Sequence, residues 1–119
     1  MKISEAIAAA DAVRPNTVDD VTKAAWLYDV EGDLSELLRL EEPPRNVYLE
    51  NPDTELLMPY GHDNFYTLYL MAMIDMANEE SDLYNNDMAA FNQAYLEARQ
   101  WWNRNHEPKK PPTQITGWF

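Results

Sequence analysis

The fold of this chain is decided by the stretch Phe65-Tyr-Thr-Leu-Tyr-Leu-Met-Ala-Met-Ile-Asp-Met-Ala77, which is apolar nearly all the way round when drawn as a helix. Such a helix has no face that favours water. It must therefore be enclosed on several sides, by its own chain or by a neighbouring subunit. The sequence predicts a central helix over about residues 62–78.

The residues that follow predict a second helix of different character, over about residues 82–105 and closed off by Pro108. Its apolar side chains recur at steps of three and four, which places them on one helical face. That face must bury against another part of the protein. Its members are Tyr84, Met88, Phe91, Tyr95, Ala98 and Trp102.

Two further helices are predicted in the first part of the chain. One spans residues 3–13 and ends before Pro15, because proline disfavours helical geometry in the residue that precedes it. The other spans residues 17–41, with Thr17 and Asp20 arranged like a capping box and Pro43-Pro44 at its end. The predicted apolar face of the first helix contains Ile3, Ile7, Ala10 and Val13. That of the second contains Val21, Ala24, Ala25 and Tyr28, with a drifting stripe of Leu27, Leu34, Leu37 and Leu38 toward Leu40.

Residues 43–61 hold five prolines and glycines without a sustained period, which is typical of a long connection. We therefore expect an all-α fold, a small bundle of four main helices with a long Pro-rich loop. The helical domain covers residues 1–106. Residues 107–119 contain three prolines and form an extended Pro-rich tail in this prediction.

The acidic residues are concentrated in the first part of the chain. Residues 1–82 hold five lysines and arginines against eighteen acids, whereas residues 83–119 hold four against three. An acidic surface repels phosphate, so specific nucleic-acid binding is not expected. The chain has no cysteine, and its longest apolar run falls short of the roughly 20 residues that a membrane-spanning helix needs. We expect a soluble, unexported protein.

No catalytic or cofactor signature accompanies the helices. His62 and His106 lie far apart in the sequence without a second nitrogen or sulfur ligand at helical spacing, and the three glycines are isolated. The best enzymatic alternative is a magnesium-dependent nucleotide pyrophosphohydrolase, since Glu79 with Asp82 and Asp33 with Glu36 have the i, i+3 spacing of its metal-binding acids. In a chain with twenty-one acids, such pairs arise easily by chance. We therefore expect no catalytic residue, cofactor or metal.

Aromatic residues supply the candidate contacts with partners. Trp101 and Trp102 are adjacent and point about 100° apart, so both cannot enter one core stripe, and one of them should lie at the edge of the fold. Aromatic residues at the end of an extended segment either pack on their own domain or insert into a partner. The predicted partner-binding residues are Ile115, Trp118, Phe119 and Trp101.

The most specific segment of the chain runs from Tyr84 to Tyr95 and is preceded by Tyr69-Leu-Met-Ala-Met-Ile-Asp75 and Asn78-Glu79. Three other segments are Ile3 to Ala12 with Arg14-Pro-Asn16, Trp26-Leu27 with Gly32, and Thr54-Glu-Leu-Leu-Met-Pro-Tyr60. Together these segments, which span most of the chain, resemble the small helical head-tail connector, or adaptor, proteins of tailed bacteriophages and prophages.

The resemblance implies a structural virion component that performs no reaction. It would assemble in the host cytoplasm as a ring of about twelve copies beneath the portal protein, after remaining monomeric until it meets that template. Its place would be the head-tail interface, where it binds the portal and a downstream head-closure or tail-completion protein. DNA would pass through the ring without specific binding, kept from sticking by the acids of residues 1–82.

As a further hypothesis, the tail from Lys109 to Phe119 reaches the portal, with Gln114 to Thr116 added as a strand. A generic helical interaction or regulatory protein remains an alternative. It predicts a small, fixed oligomer in solution and no affinity for a portal ring.

Overall fold

The computed structural model describes residues 1–42 and 44–106, and these contain four helices. They are α1 (Ile3–Val13), α2 (Asp20–Leu37), α3 (Asn64–Ala77) and α4 (Ser81–His106). The described residues form no strand, only an isolated bridge between Lys2 and Glu55. The prediction of an all-α bundle of four main helices is confirmed. None of the described helices combines the length and apolar character needed to cross a membrane.

Helix α3 is the centre of the bundle and contacts each of the other three helices, most extensively α4. Its side chains Phe65, Tyr66, Leu70 and Ile74 are completely buried. The chain's own helices thus enclose one part of α3 completely, whereas Leu68, Met71 and Met73 are half-buried and Met76 is exposed.

The predicted faces of the other helices are mostly correct. On α4, Phe91, Tyr95 and Ala98 are buried, while Tyr84, Met88 and Trp102 are half-buried. Three predicted core residues are instead exposed, because they stand at helix ends beyond the cover of α3. They are Val13 at the end of α1, Val21 at the start of α2 and Leu37 at its end.

The predicted bounds of α2 (17–41) are too wide at both ends. Asp19, not Thr17, caps the helix, since its carboxylate accepts a hydrogen bond of 2.7 Å from the Thr22 N–H. The helix ends at Leu37, and two residues later Arg39 has a φ of 57°, a left-handed conformation that an α-helix does not continue through.

The start of α3, predicted at residue 62, lies at Asn64. Asp63 does not cap this helix with its side chain. Its carboxylate lies 3.1 Å from the amino group of Met1, which is also 3.2 Å from Glu55. Helix α4 extends one residue beyond the predicted range at each end, Ser81–His106 against 82–105.

The connection between α2 and α3 is ordered by the start of α1. The Ile3 N–H donates to the Thr54 carbonyl and the Ser4 N–H to the Pro52 carbonyl. These are amide groups of the first turn of α1, which have no partner inside their own helix. The long loop thus completes α1 and places Leu56 and Met58 in the core.

Candidate protein-interaction site

The only predicted partner-binding residue within the described part of the chain is Trp101. Its ring stacks on His62 with centroids 4.0 Å apart, and the side chain is half-buried. Because His62 precedes α3, this stack ties the end of α4 to the beginning of α3. Trp102 is also half-buried and stacks on His106, one turn further along α4, with centroids 3.9 Å apart. Ile115, Trp118 and Phe119 lie outside the described residues.

The two acid pairs of the enzymatic alternative stand apart from other ligand groups. Glu79 lies in the turn between α3 and α4 with a φ of 60°, next to the start of α4 that contains Asp82. Asp33 uses its carboxylate to accept a hydrogen bond from Tyr95. Within residues 1–42 and 44–106, no three acids, histidines or cysteines come together as a metal site would require.

A groove of about 450 Å³ lies between α2 and α4, over the side of α3 that carries Tyr69. We call it the α2–α4 groove. Its α2 side provides Asp29 and Asp33 together with apolar Val30 and Leu37. The α3 and α4 sides provide Tyr69, Phe91, Asn92, Tyr95 and Arg99.

The polar groups of the groove are fixed by contacts across it. The Tyr95 hydroxyl donates a hydrogen bond of 2.6 Å to Asp33 Oδ2, and burial together with this carboxylate raises the pKa of Tyr95. The Arg99 guanidinium lies 5.0 Å from the centroid of the Tyr95 ring, within the range of a cation–π contact. Arg99 Nε is buried and has no hydrogen-bond partner among the described residues. Asp33, Tyr95 and Arg99 thus form a connected wall across the groove.

The acids of α2 also act on Tyr69. Burial raises the pKa of its hydroxyl first, and the negative charges of Asp29 and Asp33 contribute in the same direction. Both effects make loss of the phenolic proton unfavourable. The lining of the groove thus combines two acids of α2 with Arg99 of α4 over an apolar and aromatic floor.

Sequence reasoning did not find the groove. Asp33 and Tyr95 are 62 positions apart, and helical periodicity gives no sign of such a distant pairing. Helical periodicity places Tyr95 on the apolar face of α4, where it is buried, but the partner of its hydroxyl depends on how the helices pack.

A second polar network fixes the loop that precedes α3. The buried carboxylate of Glu31 accepts a hydrogen bond from the Tyr66 hydroxyl and another, of 2.8 Å, from the Leu57 N–H. The Tyr66 hydroxyl in turn accepts from the Met58 N–H at 3.1 Å. Burial raises the pKa of Glu31, although both hydrogen bonds favour its charged form. Three separate segments are joined by this network.

A third network holds the end of the bundle where α1 ends and α3 turns into α4, which we call the turn end. Arg14 donates through Nε to Asp75 at 2.9 Å and through Nη2 to Asp87 at 3.1 Å. The Asn78 side chain donates to the Pro15 carbonyl at 3.0 Å. A lone acid in a helix as apolar as α3 is a sequence signal for a buried partner, and Asp75 is such an acid.

Three large apolar side chains remain exposed at the turn end, one on each of the elements that Arg14 joins. Val13 ends α1, Met76 lies in the last turn of α3 and Leu83 in the first turn of α4. Their exposed fractions are 51%, 52% and 38%. We call these residues the turn-end surface. Val13 precedes Arg14, Met76 follows Asp75 and Leu83 lies one turn before Asp87, so each is close in sequence to a residue of the Arg14 network.

Comparisons with known proteins assign no family to this arrangement. No protein-family model matches the chain, and neither the curated proteins nor the solved structures yield a match.

Removal of the Tyr66 hydroxyl tests how much the Glu31 network contributes to stability. Replacing Tyr66 with phenylalanine leaves Glu31 Oε1 and the Met58 N–H without a partner, while Glu31 Oε2 keeps the Leu57 N–H, so the free energy of unfolding should fall by roughly 2–4 kcal/mol. Tyr69→Phe is the matched control, because its hydroxyl makes no hydrogen bond to the described residues, and it should change this free energy by less than about 1 kcal/mol. Urea unfolding measures both. Equal losses in the two variants would show that the network contributes nothing.

The protonation of Asp75 at the turn end can be tested through the pH dependence of stability. Burial and the neighbouring Asp87 raise the pKa of Asp75 to about 6, against the opposing effect of Arg14. The folded protein thus holds a proton on Asp75 more tightly than the unfolded chain. This contribution to stability is complete below the ordinary pKa of 3.8 and is lost as the pH rises through about 6.

Asp75→Asn mimics the protonated side chain and removes the titration. The stability of the unmodified protein relative to this variant should therefore fall between pH 4.5 and pH 7. Urea unfolding of both proteins at several pH values measures the difference. A difference that is constant with pH, or that grows in favour of the unmodified protein, contradicts the assignment.

Proposed function

We propose that this chain is a head-tail adaptor of a tailed bacteriophage or prophage, a structural protein without enzymatic activity. It assembles as a ring beneath the portal at the head-tail interface of the virion, and a downstream completion protein attaches to it. The resemblance of residues 84–95 and of the preceding helix to such adaptors supports this proposal.

The single observation that carries the proposal is the turn-end surface. Burying three large apolar side chains is favourable by roughly 1.5–3 kcal/mol each when they are fully exposed beforehand, and less for partly exposed ones such as these. The four-helix bundle covers only about half of Val13 and Met76 and about 60% of Leu83. A contact with another protein gives them a physical reason to be apolar, and subunits of a ring need such contacts on every copy.

The negative charge of the chain supports the proposal that DNA passes through the ring. Acids exceed basic residues by thirteen over residues 1–82. In a ring, this excess would repel DNA that passes through the channel and keep it from adhering. The hypothesis that residues 109–119 reach the portal stays a prediction, since those residues lie outside the described part of the chain.

Co-assembly with portal rings tests the proposal. The purified chain is mixed with rings of the portal protein encoded in the same phage or prophage genome, and native mass spectrometry measures the complexes. We expect ring complexes of fixed stoichiometry. Met76→Asp places a charge on the turn-end surface and should reduce the fraction of complexes at least tenfold.

Leu96→Asp is the matched control, because Leu96 is a similarly exposed apolar residue on α4 away from the turn end. It should leave assembly unchanged. A small fixed oligomer without affinity for the portal would instead support the generic interaction protein and overturn the adaptor proposal. Equal effects of the two substitutions would show that the turn-end surface has no specific role in assembly.

A further inference from the structure

The turn-end surface is apolar and has an acidic rim. Residues 75–87 hold five acids and no basic residue. Two of these acids are buried and share the guanidinium of Arg14. The other three are exposed and lie close in sequence to Met76 or Leu83. They are Glu79, Glu80 and Asp82. A partner for this surface should therefore bring apolar side chains together with positive charge.

The opposite end of α4 has this chemistry. The helix is 26 residues long, so its two ends lie roughly 39 Å apart. Residues 88–106 hold two arginines and one histidine against a single acid, Glu97. Trp101 and Trp102 are half-buried there, which leaves part of each ring at the surface. Arg104 is exposed and forms no ion pair with the described residues. We call Trp101, Trp102 and Arg104 the tryptophan end.

A second copy of the chain is the partner that these charges favour. With a net charge of -12, copies of this protein repel one another over most of their surface. The acidic turn end is attracted to the part of another copy where basic residues outnumber acids. Because the turn end and the tryptophan end are different surfaces, one copy can use both at once and contact two neighbours.

The dipole of α4 explains only part of this arrangement. Acids near the start of a helix and cations near its end stabilise the helix itself. That effect requires no apolar side chain at either end. Exposed apolar residues among acids at one end, and half-buried tryptophans beside an arginine at the other, have the composition of two matching contact surfaces.

We propose that the turn-end surface of one copy docks on the tryptophan end of a second copy. Met76 and Leu83 pack against the two tryptophan rings, and the exposed carboxylates of Glu79 and Glu80 face Arg104. Such a heterologous contact repeats from copy to copy and closes into a ring where the rotation between copies allows it. The inference rests on the proposed ring and names the contact between its subunits.

Disulfide trapping between copies tests this contact, and the absence of cysteine from the chain makes every introduced thiol unambiguous. Ser81→Cys places a thiol at the turn end and Asn105→Cys places one at the tryptophan end, both at exposed residues. Under mild oxidation, a mixture of the two full-length variants should give a disulfide-linked dimer with one copy of each. Either variant alone should give about fivefold less dimer, because a heterologous contact keeps like positions apart. Ala90→Cys mixed with Ser81→Cys is the matched control, since Ala90 is exposed in the middle of α4, and it should also give about fivefold less.

Charge reversal tests the pairing of the two ends. Arg104→Glu in the Asn105→Cys copy should lower the yield of the mixed dimer several-fold. Glu79→Lys with Glu80→Lys in the other copy should then restore it, and added salt should lower the original yield. Equal dimer from the mixture and from the single variants, or a yield insensitive to these charges, would overturn the contact.

Trapping in the presence of portal rings separates this inference from the proposed function. Portal complexes that form without the Ser81–Asn105 cross-link would keep the adaptor and overturn this contact. The cross-link in a protein without affinity for the portal would keep the contact and overturn the adaptor. Leu96→Asp serves as a control here too, because Leu96 lies about 120–140° around α4 from either tryptophan. It should leave the cross-link unchanged.

Discussion

The enclosure of α3 is the constraint on which the rest of the structure depends. A helix with apolar side chains on nearly every side cannot rest on one neighbour, and α1, α2 and α4 each contact it. The loop before it adds Leu56 and Met58 to the same core. Because three helices are used to cover one, each covering helix keeps an outer face. The α2–α4 groove lies where two covering helices leave Tyr69 of α3 half-buried, and the turn-end surface lies at helix ends.

Buried polar networks give this apolar bundle a defined geometry. Apolar packing alone tolerates sliding and rotation of helices, whereas a buried carboxylate is stable only where its partners are. Glu31 requires Tyr66 and the Leu57 N–H, and Asp75 requires Arg14. The first network sets α2, α3 and the loop relative to one another, and the second sets the turn end. The Arg14 network thus holds the helix ends that carry the turn-end surface.

The sequence predicts the helices well because each is specified by its own local period. The ends of the helices are predicted less well, since Thr17 and Asp19 are both good N-cap residues and their spacing alone does not decide between them. Val13, Val21 and Leu37 fit the apolar periods yet remain exposed, because periodicity does not tell how far α3 extends to cover them. The α2–α4 groove is not predicted from the sequence, for a different reason. It is formed by Asp33 and Tyr95 from distant parts of the chain, and their pairing depends on the packing of α2 and α4 around α3.

Hydrogen exchange of the free protein tests most directly whether the chain encloses α3 by itself. The amides of residues 68–74 should exchange only through global unfolding, and their protection should be the same at low and at high protein concentration. Protection of α3 that is weak in the dilute protein and rises with concentration would show that a neighbouring subunit covers this helix. That result would contradict the fold from which the turn-end surface and the groove are argued.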